Sequence, residues 1–160
     1  MILVTGATGN AGGAVARALI DAGEEVRGLV REGATTSTVP AGVEAAIGDL
    51  DRPETVTPHL GGVTAAFMLS GYEGLDATLA DMRKAGVERV VLLSSSAAPT
   101  ADLTNAIARY HILSEAAVRG SGLRWTLLRP NSFMSNAYRW RHSYGWATWS
   151  GCPSPRCRSP

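Results

Sequence analysis

The 160-residue sequence predicts an α/β fold: a doubly wound parallel sheet in the order 3-2-1-4-5-6, with helices on both faces. Three observations lead there. Short apolar runs rich in Val, Ile and Leu alternate with longer, Ala-rich segments of helical period. The apolar runs are nearly continuous, as strands are when a parallel sheet is covered on both sides. Glycines stand at positions 6, 9 and 12, between the first apolar run and the first helical run.

In chain order, MILVT (1–5) reads as a strand, and 11–22 as the helix that follows the glycines. EVRGLV (25–30) is the second strand. The stretch 32–42 is polar, contains Pro40 and reads as a loop. VEAAI (43–47) is the third strand and 53–60 a short helix. TAAFMLS (64–70), a helix at 73–85 and RVVLLSS (89–95) follow, then a long helix at 104–120 and a sixth strand, RWTLLR (124–129). The predicted domain covers 1–137. Residues 138–160 change character: they hold three of the four tryptophans and both cysteines, with no helical or strand period. Two readings of that tail stand: a disordered or non-native stretch from a frameshift or truncation, and an aromatic arm that packs on a partner.

A formal net charge of +1 gives no argument for nucleic acid or an anionic membrane as partner. No apolar run approaches the roughly 20 residues of a membrane span, and no basic n-region precedes the first strand. Cys152 and Cys157 lie in the tail, so the body has no disulfide, which points to the cytoplasm. The cysteines form no metal-ligand framework and no nucleophile elbow is present, so neither a metal site nor a nucleophilic triad is expected.

The segment TGATGNAGG carries chemistry. Gly6 permits a sharp turn out of the strand, Gly9 removes a Cβ where a pyrophosphate would approach, and Gly12 allows close helix–sheet packing. The helix start, with Ala11 in its first turn, offers unpaired amides and a partial positive charge to an anion. Thr8 and Asn10 add side-chain donors. A glycine pattern alone is weak, but a strand before it and a helix after it are the context that dinucleotide binding requires. The alternative is a purely structural turn.

The second strand bears on which dinucleotide binds. Sites for NAD place Asp or Glu at that strand's end, for the ribose 2′-hydroxyl. Here the strand ends GLVRE, which puts Arg31 there, where a guanidinium would attract the 2′-phosphate of NADP(H). NADP(H) is therefore favoured over NAD(H), although Glu32 is adjacent and Arg31 can also be read as a solvated surface residue. After the third strand, Asp49 and Leu50 are expected beside the adenine. Asp49 also reads as a cap for the next helix.

Taken together, VTGATGNAGG, GLVR, GDL, AGVERVVLLSS and HILSEAAVRGSGLRWTLLRPNSFMSN resemble the atypical short-chain dehydrogenases/reductases. More narrowly, they resemble the NmrA-like NAD(P)-binding proteins and type 2 NAD(P)H:quinone oxidoreductases, over residues 1 to about 137. The resemblance implies a Rossmann fold that binds NADP(H). Members of that family typically continue well past the matched stretch and draw much of their substrate pocket from the extra residues. It also implies that Leu69, Ser70 and Gly71, with Ser94, Ser95 and Ser96, line the nicotinamide half. Pro130, Asn131 and Phe133 would close over the ring. Any one of the serines reads equally well as a capping or turn residue.

Short-chain dehydrogenases commonly use Tyr-x-x-x-Lys, in which the ammonium lowers the tyrosine pKa. Here Tyr110 is followed four positions later by Ser114, and the only lysine, Lys84, falls on another helix. Tyrosine-acid chemistry is thus disfavoured. His111 and Glu115 are spaced i, i+4 and share a helix face, and the resemblance to the quinone reductases includes a matching His and Glu. The candidate catalytic residues are therefore His111, to orient a carbonyl or provide a proton near neutral pH, and the adjacent Tyr110. The plainer reading of His111 is a surface histidine paired with the Glu115 carboxylate. Quinone reduction asks less of the protein, because hydride passes directly to the acceptor and solvent supplies protons. The functional expectation is an NADPH-dependent reductase of quinones or other carbonyl acceptors, with a small molecule as partner. The alternatives are a non-catalytic NADP(H)-sensing regulator and a remnant without its acceptor pocket. The oligomeric state is left open.

Overall fold

The computed structural model describes residues 1–33 and 39–136; the tail expected at 138–160 lies outside the described residues. Six strands form one sheet: β1 (Ile2–Thr5), β2 (Val26–Val30), β3 (Glu44–Ile47), β4 (Ala65–Leu69), β5 (Arg89–Leu93) and β6 (Arg124–Leu128). They lie in the order β3-β2-β1-β4-β5-β6, and every pairing is parallel. The predicted order is the observed one.

The α-helices are α1 (Asn10–Asp21), α2 (Pro53–Val56), α3 (Leu75–Lys84) and α4 (Ala106–Gly120). The single helix expected at 53–60 is instead α2 followed by a 3₁₀ turn at Thr57–His59. Pro58 explains the change, since it has no amide to donate into the next helical turn. Asn105 caps α4 by accepting from the amides of Ile107 and Ala108 at 2.9 and 3.1 Å.

The core has two layers because successive strand side chains point to opposite faces. Leu3 of β1 faces the layer closed by α2, α3 and α4, where it joins Met68, Leu79, Met82 and Leu92. Val4 faces the layer under α1, with Ala16, Val26 and Phe67. Helices therefore cover both faces, as expected. On the α1 side the cover thins toward β6: Val91 and Leu93 are half-buried and Leu128 is 42% exposed.

The chain leaves β1 in one direction and β4 in the other, which opens a crevice at the carboxyl ends of these two strands. The buried Thr5 ties its two walls together, its hydroxyl accepting from the Leu69 amide at 3.0 Å.

Candidate functional site

The crevice begins at the glycine turn. Gly6 has φ +64°, in the left-handed region that glycine enters freely. A Cβ at Gly6 would meet Leu69 Cδ1 at 2.6 Å. A Cβ at Gly12 would run into the Gly6 carbonyl oxygen and come within 2.6 Å of that of Thr5. The amide of Gly9 donates to the Gly6 oxygen at 2.9 Å, which closes the turn. Gly9 is the N-cap of α1 and, having no side chain, makes no cap bond to the first-turn amides. The first bond of α1 runs from the Gly13 amide to the Gly9 oxygen at 2.8 Å. The amides of Asn10, Ala11 and Gly12 precede it and have no acceptor within the helix. Thr8, Gly9 and Asn10 are exposed. This cradle fits a pyrophosphate: bare amides, a helix N-terminus and no Cβ in the way.

At the ends of β2 and β3, Arg31 and Glu32 are both exposed. Arg52 reaches toward them from the turn after β3, with Nη2 3.8 Å from Glu32 Oε2. Asp49 does not cap α2, whose N-cap is Arg52 without a side-chain bond. Instead its Oδ1 accepts from the Asp51 amide at 3.1 Å, within the tight turn that Asp49 itself begins. Leu50 is buried in the core layer beneath α2 and α3.

The ends of β4, β5 and β6 are knitted to one another. Ser70 donates to the Leu93 carbonyl at 2.7 Å and Ser96 to Asn131 Oδ1 at 3.1 Å. Ser95 Oγ accepts from the Ala97 amide, so this serine shapes its own turn. Ser94 is buried, and its hydroxyl donates to Glu115 at 2.6 Å. Pro130 is half-buried, whereas Asn131 and Phe133 are exposed.

Glu115 anchors a cluster in which only Arg119 is an i, i+4 neighbour; Ser94 and Arg129 come from distant parts of the sequence. Arg129 grips its carboxylate with two bonds, at 2.8 and 2.7 Å, and Arg119 adds a third at 2.8 Å. The Arg129 bond outweighs the burial of the carboxyl, and with Ser94 and Arg119 holds its pKa at about 2. The expected His111–Glu115 surface pair is therefore corrected. His111 is only 9% exposed, its Nδ1 is buried without a partner among the described residues, and Glu115 spends its oxygens on arginines and Ser94. Burial pushes the His111 pKa down, and the nearby Glu115 charge only partly offsets this.

Tyr110 stacks on His111, with ring centroids 4.2 Å apart. Its ring edge lies so close to Gly71 that a Cβ there would meet Tyr110 Cδ2 at 3.1 Å. Ser114, standing where a catalytic lysine would be, accepts from the Gly71 amide at 3.0 Å. Tyr110 and Ser114 also border an open groove of about 1240 Å³ between α3 and α4, outside the sheet.

Sequence comparison identifies the fold's cargo. The NAD(P)H-binding family model matches residues 6–144. The chain belongs to this NAD(P)H-binding family. A (4-alkanoyl-5-oxo-2,5-dihydrofuran-3-yl)methyl phosphate reductase of Streptomyces griseus is 39% identical over 147 residues, covering 88% of this chain and 50% of that protein. An NAD(P)H azoreductase of Xenophilus azovorans is 34% identical over 143 residues, covering 85% of this chain and 49% of its own length. Among solved structures, an NADPH-dependent quinone oxidoreductase from Escherichia coli, in complex with NADPH, superposes with a TM-score of 0.75 at 26% identity. The match covers 89% of this chain and 53% of that one. The Citrobacter triphenylmethane reductase complexed with NADP(H) gives 0.73 at 27% identity, covering 90% and 55%. The chain thus spans about half the length of these relatives. No helix among the described residues is long and apolar enough to cross a membrane.

Proposed function

We propose that this domain binds NADPH in preference to NADH and serves a reductase whose acceptor is a quinone or a comparably electrophilic small molecule. The observation that carries the reading is the uncapped start of α1 behind Gly6, Gly9 and Gly12. It gives a diphosphate backbone donors at a positive helix end. Arg31, exposed at the end of β2, is the residue that would meet a 2′-phosphate. Asp49 and Leu50 follow β3, on the adenine side.

A reduced nicotinamide, when bound, supplies a hydride. The protein's part is to hold the ring side of the crevice. Leu69 packs over Gly6, Ser70 and Ser95 line the strand ends, and Asn131 and Phe133 border the opening. Ser94 contributes through its bond to Glu115, which fixes the end of β5 against α4. Tyr110 lies against Gly71 at the end of β4, which supports an acceptor-side role for it. His111, kept neutral by its burial, backs the Tyr110 ring. Neither has a lysine partner, which favours an acceptor that takes hydride directly and its proton from water. The names of relatives that reduce quinones and azo compounds support the same class.

One observation favours a second reading, a nucleotide-sensing module. Ser114 is committed to the Gly71 amide and offers no charge to a catalytic tyrosine. Calorimetric titration with NADPH and NADH, followed by absorbance at the nicotinamide band with a quinone panel, separates the two. Turnover supports the reductase; tight NADPH binding without turnover supports the sensor. Arg31→Ala should cost NADPH about 1.5–3 kcal/mol relative to NADH, the range of a hydrogen bond to a charged group. An unchanged ratio would remove Arg31 from the assignment.

A further inference from the structure

Three exposed charged side chains stand together at the carboxyl ends of β2 and β3: Arg31, Glu32 and Arg52. Arg31 and Glu32 are consecutive, so an anion drawn to the guanidinium also feels the carboxylate. Arg52 alters the sum, because its Nη2 lies 3.8 Å from Glu32 Oε2.

The turn that carries Arg52 is firmly built. The Arg52 amide donates to the Asp49 carbonyl at 2.9 Å. Thr55 Oγ1 accepts from the Asp49 amide at 2.8 Å and donates to the Arg52 carbonyl at 2.7 Å. The backbone is thus held while the Arg52 side chain, 55% exposed, reaches across to Glu32. Asp49 Oδ1 accepts from the Asp51 amide and Asp51 Oδ1 from the Glu73 amide, so the carboxylate that Arg52 pairs with among the described residues is that of Glu32. Glu32 has no other partner among the described residues.

We propose that Arg52 is a specificity-determining residue, whose guanidinium offsets the Glu32 carboxylate beside Arg31, so that Arg31 attracts a 2′-phosphate more strongly than it would with Glu32 unpaired. The inference rests on the NADPH reading above. It also explains how a carboxylate directly after Arg31 is compatible with that reading. An exposed pair of this kind adds little to folding, so its consequence is expected in binding.

The test is calorimetric binding of NADP⁺ and NAD⁺, with no turnover required, to the wild-type chain, Arg52→Ala, Glu32→Gln and the double variant. At low salt Arg52→Ala should weaken NADP⁺ about fivefold, the scale of an exposed charge interaction, and leave NAD⁺ unchanged. Glu32→Gln should tighten NADP⁺. The double variant, which removes one positive and one negative charge together, should bind NADP⁺ about as tightly as the wild type, and added salt should erase the effects of both single changes. An NADP⁺/NAD⁺ ratio that Arg52→Ala does not move overturns the inference. So does a double variant that binds NADP⁺ as weakly as Arg52→Ala alone. In both cases coenzyme binding itself survives; a wild-type chain that takes up neither coenzyme overturns the NADPH reading as well.

Discussion

A methyl group at Gly12 would strike the carbonyl oxygens of Gly6 and Thr5, so this one position sets how closely α1 approaches the end of β1. Gly12→Ala is expected to destabilise the fold by about 1–3 kcal/mol, the cost of overpacking a tight site, and to abolish coenzyme binding even where folding persists. Thermal melts together with calorimetry would check both parts. His111 gives a pH-dependent counterpart. Burial lowers its pKa from 6.5, so the folded state resists a proton that the unfolded chain accepts. The stability this represents is intact above pH 6.5 and declines as the pH falls below it. His111→Gln should therefore flatten the loss of stability on the acid side of pH 6.5, as read by urea midpoints across a pH series. A slope identical to the wild type would mean that other groups carry it.

Elements meet through Glu115, which joins α4 to the end of β5 by Ser94 and to the segment after β6 by Arg129. Its pKa is depressed from 4.5 to about 2, so its contribution is full above pH 4.5 and fades as the pH falls toward 2. Glu115→Ala should cost about 2–3 kcal/mol at neutral pH, short of the loss on breaking a fully buried pair. Arg119 and Arg129 are 44% and 37% exposed and can turn to water. The difference from the wild type should narrow steadily below pH 4.5, which acid denaturation would measure. This cluster also marks the limit of what the sequence discloses. Strands such as MILVT and RVVLLSS declare themselves by their own composition, and the glycine turn by three residues within one segment. The Ser94–Glu115–Arg129 contact joins residues 21 and 14 positions apart, and only the packing of α4 on the sheet creates it. The i, i+4 rule correctly put His111 and Glu115 on one helix face, but that face is turned inward, where two arginines outbid the imidazole for the carboxylate.

At the scale of the whole molecule, the described residues contain a complete anion cradle, although the chain spans only about half the length of its curated relatives. That cradle belongs to the turn after β1 and the start of α1, with the ends of β2 and β3 beside it, and of β6 only Leu127 packs against the core cluster that supports these strands. On the other side, β6 shows little burial apart from Leu127, and Trp125, Leu128 and Phe133 are 45, 42 and 44% exposed. Coenzyme binding should therefore survive as a property of this chain, while the β6 side is its less enclosed part. A ligand that binds only the folded state stabilises it by mass action, about 2.7 kcal/mol at a hundred times its dissociation constant. For a domain of this size that corresponds to a rise in melting temperature of roughly 5–10 °C. NADPH should produce that rise at lower concentration than NADH, and Gly12→Ala should abolish it for both. If truncating Trp125 and Leu128 to alanine together removed the NADPH shift, the cradle would depend on the β6 side after all, and the division of labour argued here would fail.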